Sequence, residues 1–329
     1  MRHWKPEEIR ARIEEILPAG RVVPRHSDKG HFYEVIDGKF VAPPIYPSVT
    51  GKLQILKDEG LINYKMNRAI EYFRDFIFKN YSDLGQCTDQ EIMIKIDEAT
   101  TLASRVSQDI LSDAGDIGTR IHNLREVIFN EWIKTGKRPD DFVSFIPPNE
   151  EDVRVISALR ALQKFCVEKD YIPVKCELLV YSHKLKTAGT LDDLGLMRKV
   201  LREGTIADCA HEDMVLNEKN GKHTCVKCDY QYRYEFVLMD LKTSNQFKDH
   251  YFFQVALYWW KLWQLLGKEW KPERCFILKV SKEDGGYKVE DLKKPSKLAQ
   301  YAHAMIKTNE AVDFIKSLRK DNQRTVMSL

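Results

Sequence analysis

The spacing of apolar residues changes character about halfway along the chain, and this change predicts the architecture. In the first half, apolar residues recur at helical spacing over 5–17 and through most of 48–170, which is typical of amphipathic helices. The intervening segment 20–45 is rich in β-branched residues, and Asp37-Gly38 is expected to form a hairpin turn within it. The first half is therefore predicted to be mainly helical, with one extended segment near its start.

The second half switches to short apolar runs, which are typical of buried strands. Four runs are expected to be strands: Val174–Tyr181, Thr190–Met197, Glu235–Lys242 and Cys275–Val280. Helical spacing returns over two later segments, Tyr251–Leu266 and Lys294–Leu318. This order predicts an α/β (α+β) fold in which helices flank a central mixed β-sheet.

Three regions follow from this order of elements. Residues 1–170 are predicted to form a mainly helical N-terminal region, and residues 171–329 the α/β core. Residues 201–233 interrupt the core between two of its strands and are interpreted as an insertion. Because there is no internal repeat and no long linker, we expect one mixed core with a helical elaboration.

Composition narrows the function classes only slightly. The chain has 52 Lys and Arg residues against 49 Asp and Glu, a net charge of +3, which argues against a polybasic, histone-like mode of nucleic-acid binding. A local basic groove stays open, because net charge averages over all faces. The N-terminus lacks the apolar stretch of a signal peptide, and the most apolar segment, Tyr251–Gly267, is too short and too polar to span a bilayer. We therefore expect a cytoplasmic, reducing location without membrane contact.

Ionisable residues inside apolar strands are the strongest chemical signal. Asp240 and Lys242 point to the same face of their strand, because side chains alternate, and burying them is costly unless they pair or bind something. A structural ion pair is the plainer alternative. The adjacent Asp192 and Asp193 lie in a second strand, where periodicity cannot say which of them faces the core. Glu177 lies in a third strand, where an edge position facing water is the alternative.

Convergence of these carboxylates on one face would create an oxygen-ligand site for a hard divalent cation such as Mg²⁺. A lysine beside it could orient or activate a hydrolytic water. Two helical pairs at i, i+4 spacing accompany the strands: His122 with Glu126, and Gln254 with Tyr258. The alternatives for these pairs are a capped or core histidine and ordinary helix surface.

Cysteine spacing predicts a second metal site, inside the insertion. Seven cysteines, an odd number, fit free thiols plus a metal site better than disulfides. Cys209-x-His211 and Cys225-x-x-Cys228 supply four ligands, the number that a closed tetrahedral site needs, so a structural Zn²⁺ ribbon is expected. His223 could replace His211, and four unrelated reduced side chains are the alternative. An iron–sulfur cluster is disfavoured because one ligand would be histidine.

Two further interpretations concern the residues around this ribbon. The remaining cysteines are interpreted as buried thiols: Cys87, Cys166, Cys176 and Cys275. Cations and aromatic residues interleave along the ribbon: Lys219, Lys222, Lys227, Arg233, Tyr230, Tyr232 and Tyr234. They form either a DNA-contacting edge or a solvated hairpin with alternate aromatics packed inward.

Taken in order, these motifs resemble the RecB-type branch of the PD-(D/E)XK nucleases. The series is Gly118-Thr119-x-x-His122, Glu177, Gly189-x-x-Asp192, Asp240-x-Lys242-Thr243-Ser244 and Gln254-x-x-x-Tyr258. Upstream, Pro47-Ser48-Val49-Thr50 is similar to an element of phage exonucleases and mitochondrial genome maintenance exonucleases. The resemblance covers roughly residues 45–282. Each motif is weak alone, and their common order in a suitable strand and helix context carries the signal.

The resemblance implies a metal-dependent DNA phosphodiesterase built on a central mixed sheet. Asp192, Asp240 and the backbone carbonyl of Leu241 would hold Mg²⁺ or Mn²⁺, so the resemblance selects Asp192 over its neighbour. Lys242 would position the attacking water and stabilise charge in the transition state. The resemblance also implies supporting roles near the metal or the DNA for His122, Glu177, Gln254, Tyr258, Thr243, Ser244 and Glu126.

The function expected from this resemblance is a DNA exonuclease that prefers single-stranded DNA or DNA ends. It would act in replication, recombination or repair, in a bacterial cell or as a viral protein in its host. The helical N-terminal region would contribute the His122 motif and guide a strand to the site. Two alternatives stay open: a non-catalytic nucleic-acid-binding protein, and a structure-specific endonuclease of the same fold.

Overall fold

The computed structural model describes residues 2–27, 30–53, 58–244 and 246–327. The chain divides into two compact units, Met1–Leu53 with His122–Leu329, and Gln54–Ile121. Over the described ranges the helices are α1 Pro6–Ile16, α2 Val49–Lys52, α3 Asp58–Leu84, α4 Asp89–Thr135, α5 Val153–Glu168, α6 Asp249–Leu266 and α7 Pro295–Met327. Over the same ranges the strands are β1 Val22–Ser27, β2 Gly30–Val35, β3 Ile45–Pro47, β4 Tyr171–Ser182, β5 Thr187–Arg202, β6 Met214–Asn217, β7 Lys222–Cys225, β8 Gln231–Lys242, β9 Arg274–Val280 and β10 Tyr287–Asp291.

The first unit is built around one large mixed sheet. Its main strands lie in the order β10-β9-β8-β5-β4, in which β8 and β9 are parallel and the other neighbours are antiparallel. The β6–β7 hairpin joins this sheet because β7 pairs with β8. Helices α1, α5 and α6 contact the sheet. The predicted mixed α/β architecture, with helices flanking a central sheet, is therefore confirmed.

Strand β8 is central because its sequence suits burial on both faces. Phe236–Met239 are fully buried, and β5 and β9 pair with the two edges of this stretch. Helix α6 adds a buried stripe that includes Val255, Leu262 and Leu266. Burying each such side chain contributes about 1.5–3 kcal/mol to the free energy of folding. This packing stabilises the strands whose ends carry the ionisable residues.

A small antiparallel sheet, β1-β2-β3, lies between α1 and α2 in the first unit. The predicted hairpin at Asp37-Gly38 is wrong, because β2 ends at Val35 and pairs with β1 and β3 instead. Prolines lack the N–H group that a β-ladder needs. Pro43-Pro44 end the segment after Asp37-Gly38 that was expected to form the second strand of the hairpin. The carboxylate of Asp37 contributes to a tertiary contact, accepting a hydrogen bond of 3.1 Å from the Tyr181 hydroxyl.

Other element boundaries differ from the sequence pattern in informative ways. Strand β10 was not predicted, because its residues are polar and half-buried or exposed rather than a continuous apolar run. Helix α4 begins where Thr88 and Glu91 form a capping box, with Oε2 of Glu91 accepting from the Thr88 N–H at 2.8 Å. Within the described ranges, no helix combines the length and apolar character needed to cross a membrane.

Candidate metal centres

The central strands β5 and β8 separate at a pair of aspartates. Their ladder ends with Asp193 opposite Met239. One residue further, Oδ2 of Asp192 accepts a hydrogen bond of 2.7 Å from the backbone N–H of Leu241. A side chain thus takes the place of a main-chain acceptor, while β8 continues beside β9. The separation leaves Asp192 and Asp240 facing the same opening from neighbouring strands.

Asp240 is a buried carboxylate whose close partner is the ammonium of Lys242. It is 1% exposed, and its Oδ2 lies 2.6 Å from Nζ of Lys242. Neither oxygen has a well-oriented hydrogen bond among the described residues, a state that is rare and costly for buried polar atoms. Burial raises the pKa of Asp240 to about 7; Lys242 opposes this rise and Asp192 adds to it. A bound cation would satisfy this carboxylate.

Two further side chains, His122 and Glu177, form a cluster with Asp192 at the same opening. His122, Glu177 and Asp192 each offer one ligand atom, and these atoms lie within 4.8 Å of one another. Nδ1 of His122 lies 3.7 Å from Oδ1 of Asp192. The cluster combines one imidazole with two carboxylates, a donor set that divalent cations accept.

Electrostatics favour the metal-binding form of two members of this cluster, His122 and Asp192, but not that of Glu177. Burial lowers the pKa of His122 to about 4, against the charge of Asp192, so the ring is neutral near pH 7, as metal binding requires. Although burial opposes it, the charges of His122, Arg125 and Lys242 hold the pKa of Asp192 below its ordinary value. Burial raises the pKa of Glu177 to about 7, and Arg125 opposes this rise.

Arg125 organises the cluster and was missed in the sequence. Its guanidinium is fully buried, bonds Oδ2 of Asp193 at 2.5 Å, and also bonds Glu177. Asp193 is therefore engaged in an ion pair with Arg125, whereas the adjacent Asp192 is close to His122. The signal that could have found Arg125 is its spacing, three residues after His122, which places both on one face of α4. Glu177 meets this arginine from a left-handed backbone conformation, φ 47°, which is strained for a residue with a side chain.

Helix α6 closes one side of the opening. Nε2 of Gln254 donates to the hydroxyl of Tyr258 at 3.3 Å. Tyr258 is buried. The alternative that this tyrosine is part of an ordinary exposed helix surface is therefore wrong. A Cβ at Gly189 would lie 3.0 Å from the Tyr258 ring, and any side chain there would therefore crowd the tyrosine. This contact explains why a glycine begins the Gly189-x-x-Asp192 motif.

The remaining predicted support residues lie near the cluster but have weaker contacts. Thr243 and Ser244 are half-buried directly after β8, and Ser244 accepts a hydrogen bond of 3.3 Å from the Tyr251 hydroxyl. The ring of Tyr251 lies 5.1 Å from Nζ of Lys242. Glu126 is half-buried on α4, and its charge contributes to raising the pKa of Glu177.

The second candidate centre is a Cys₃His group beside the β6–β7 hairpin. The ligand atoms of Cys209, His211, Cys225 and Cys228 lie within 4.8 Å of one another. Sγ of Cys209 lies 3.7 Å from Sγ of Cys225, and Sγ of Cys228 lies 3.2 Å from Nδ1 of His211. Zinc–sulfur bonds of about 2.3 Å in a tetrahedron separate two sulfurs by about 3.8 Å. The group could therefore bind a metal such as zinc.

Local structure shifts the pKa values of two thiols in this group in opposite directions. A hydrogen bond with His211 lowers the pKa of Cys225 to about 6, which favours the thiolate that metals bind. Burial raises the pKa of Cys228 to about 11. A Cβ at Gly204 would lie 2.9 Å from Sγ of Cys228. The backbone can therefore lie this close to the sulfur only if residue 204 is glycine.

The aromatic residues of the hairpin decide between two earlier alternatives. His211 stacks on Tyr230 at 4.2 Å between ring centroids and belongs to the ligand group. His223, the alternative ligand, instead stacks on Tyr232 at 4.5 Å. The histidine of the Cys₃His group is therefore His211.

Two sequence interpretations need correction. Arg233 was counted among the cations of a DNA-contacting edge, but it is buried and paired with Glu235 and Glu273. Cys87 was interpreted as a buried thiol, but it is only half-buried, and its Sγ donates to the backbone oxygen of Asp83 at 3.2 Å. The other three lone cysteines are buried as predicted: Cys166, Cys176 and Cys275.

No protein-family model matches this chain, and a search of curated proteins finds no similar sequence. The two centres therefore have to be interpreted from their own geometry. One is an acidic opening with a paired lysine at the end of a central strand. The other is a compact group of soft and borderline ligands on an inserted hairpin.

Proposed function

We propose that the chain is a divalent-metal-dependent DNA nuclease. The observation that carries the proposal is Asp240, a buried carboxylate beside Asp192 whose Oδ2 pairs with Lys242 at 2.6 Å and whose Oδ1 has no hydrogen bond among the described residues. Proteins rarely leave such a group unsatisfied in a purely structural ion pair. Hard cations such as Mg²⁺ and Mn²⁺ suit the site, because they prefer a few carboxylates together with water and phosphate oxygens.

The residues that would hold this cation are Asp192, Asp240 and the backbone carbonyl of Leu241. The hydrogen bond from the Leu241 N–H fixes one carboxylate oxygen of Asp192, which leaves the other oxygen directed toward His122. His122 and Glu177 lie at the edge, where they would contact the metal, its waters or a phosphate. When bound, the cation supplies Lewis-acid activation of a phosphodiester and of a water molecule.

Lys242 would position the attacking water and stabilise charge on the phosphate in the transition state. Asp240 holds its ammonium at 2.6 Å, and the charges of Asp240 and Asp192 keep its pKa above the ordinary value in spite of burial. The side chain therefore carries a positive charge throughout the neutral pH range. A fixed cation aimed at the reacting phosphate is the kind of preorganised group that stabilises developing negative charge.

The Cys₃His group would hold a structural Zn²⁺. Four protein ligands leave no open position, which is the arrangement of structural rather than catalytic zinc. Without the ion, the short strand β6 would depend on four paired positions with β7, which in turn pairs with β8 at three positions, and such short pairings are marginally stable.

The assignment is tested by cleavage of linear single-stranded DNA with Mg²⁺ or Mn²⁺. We expect cleavage by the native chain, none with EDTA, and losses of at least 10²-fold in Asp240→Ala and Lys242→Ala. Unchanged cleavage in both variants would refute the assignment, and DNA binding without any cleavage would favour a non-catalytic binding protein. Closed circular DNA separates the two enzymatic alternatives, because an exonuclease leaves circles intact and an endonuclease opens them.

A further inference from the structure

Three lysines lie in register across three neighbouring strands beside the acidic opening. Lys242 on β8 pairs with Lys279 on β9, and Lys279 pairs with Lys288 on β10. Residues at one register position point to the same face of a sheet. We call Lys242, Lys279 and Lys288 the lysine row. At the usual strand separation it extends about 10 Å away from the metal-binding carboxylates.

Such a row is unfavourable for the fold alone. Like charges directly opposite each other on neighbouring strands destabilise a sheet, and here two successive strand pairs have them. Asp240 neutralises the first lysine, at 2.6 Å. Lys279 lies with its ammonium 5.6 Å from the ring centroid of Phe247, and Lys288 is exposed.

A polar cavity lies along the outer part of the row. It has a volume of about 340 Å³, and its lining includes Ser244, Lys279, Lys282 and Lys288. Ser244 follows the catalytic strand by two residues, so the cavity begins next to the proposed site. Its lining thus offers lysines and a hydroxyl, the groups that bind phosphate oxygens.

Two acidic residues, Glu283 and Asp284, also line the cavity. Asp284 is engaged locally, with Oδ1 accepting from the N–H of Gly286 at 2.9 Å, and Glu283 is exposed. The loop that carries both is anchored, because Ser157 accepts a hydrogen bond of 2.8 Å from the N–H of Gly285. The cavity is therefore lined by three lysines and by a loop that is hydrogen-bonded to α5.

We propose that the lysine row and this cavity bind the phosphodiester backbone of the DNA strand next to the cleaved bond. This inference rests on the proposed nuclease function and adds to it the path that the DNA strand follows on the protein. Lys242 acts on the reacting phosphate, and Lys279 and Lys288 hold the phosphates that follow. The ring of Phe247 beside Lys279 offers a surface on which a base can stack.

The test is binding of a fluorescent oligothymidylate, measured across salt concentrations without Mg²⁺ so that no cleavage occurs. Each lysine–phosphate contact on a single strand contributes a salt slope of about 0.7, which is about 5-fold in affinity at 0.1 M salt. We expect the double variant Lys279→Met, Lys288→Met to bind about 25-fold more weakly, with a slope reduced by about 1.4. Methionine keeps the aliphatic stems, so packing is retained.

Two controls make the result specific. The double arginine variant at the same positions retains the charge and is expected to bind like the native chain. Lys134→Met removes an 80% exposed lysine on α4 and is expected to change neither affinity nor slope. In cleavage assays with Mg²⁺, the double methionine variant is expected to raise KM and leave kcat unchanged.

The outcomes separate this inference from the nuclease assignment. If the native chain cleaves DNA but the double methionine variant binds with native affinity and slope, the lysine row is refuted and the nuclease stands. If the native chain never cleaves, yet binding falls as expected in the double variant, the nuclease assignment fails and the strand-binding row is supported.

Discussion

The buried carboxylate of Asp240 makes an unusual prediction: replacing it with asparagine stabilises the metal-free protein. In the folded chain its pKa is raised to about 7 from an ordinary value of 3.8. A raised carboxylate pKa means that ionisation penalises the folded state. The penalty is absent below about pH 4, grows between pH 4 and 7, and is complete above pH 7. Asparagine has nearly the same shape and carries no charge, so Asp240→Asn avoids the penalty.

The size of the effect follows from the shift. About three pKa units at 1.36 kcal/mol each correspond to about 4 kcal/mol. The attraction of Lys242 is already contained in this net shift. We therefore expect Asp240→Asn to be about 4 kcal/mol more stable than the native chain at pH 8, and equally stable at pH 4.

The assay is urea unfolding across pH in buffer freed of divalent cations by resin, with zinc retained in the protein. The matched control is Asp37, whose side chain is 2% exposed, like that of Asp240. Asp37 accepts hydrogen bonds from Tyr181 and from the backbone of Lys39. Although burial opposes it, these donors and His183 hold its pKa below the ordinary value.

The control is expected to change stability in the opposite direction. A lowered pKa contributes stability above the unfolded pKa that is lost as the pH falls, so Asp37→Asn should destabilise at pH 8 and less at pH 3. Native stability equal to or above that of Asp240→Asn throughout pH 4–8 would refute the reasoning. Mg²⁺ is expected to stabilise the native chain at pH 8 and to leave Asp240→Asn unchanged.

Three further predictions concern the supporting structure. Gly204→Ala places a Cβ about 2.9 Å from Sγ of Cys228 and should speed zinc release, measured with a chromogenic chelator; Gly115→Ala, with no atom within 4 Å of its Cβ, is the neutral control. Arg125→Met leaves the buried carboxylate of Asp193 unpaired and should cost about 3–5 kcal/mol in urea unfolding, a loss that Asp193→Asn should partly reverse; a loss below 1 kcal/mol would contradict the pairing. Removing zinc should increase hydrogen exchange in β6 and β7 but leave β8 protected, and uniform protection would contradict a structural metal.

Much of the candidate site could be predicted from local sequence. Alternation along a strand placed Asp240 and Lys242 on one face, and their ion pair agrees with this. The spacing of cysteines selected the four members of the Cys₃His group. Both inferences depend on residues within a few positions of one another, where geometry is set by the local backbone.

Other features depend on pairing between distant segments and could not be predicted. Strand periodicity leaves the choice between Asp192 and Asp193 open, and a physical reason for it requires the position of α4, because Arg125 pairs with Asp193. The lysine row exists only because β8, β9 and β10 align at a particular register. Strand β10, which was not predicted, contributes Lys288 to this row. No single segment of the sequence therefore shows the row as a pattern.

The central claim is that the acidic opening binds a divalent cation and uses it to cleave DNA. The most direct test is the cleavage rate of end-labelled linear DNA as Mn²⁺ is added to zinc-loaded protein, compared between the native chain and Asp240→Asn. We expect a saturable, Mn²⁺-dependent rate in the native chain and a rate at least 10²-fold lower in the variant. Equal rates in the two proteins, or no Mn²⁺-dependent cleavage by the native chain, would contradict it.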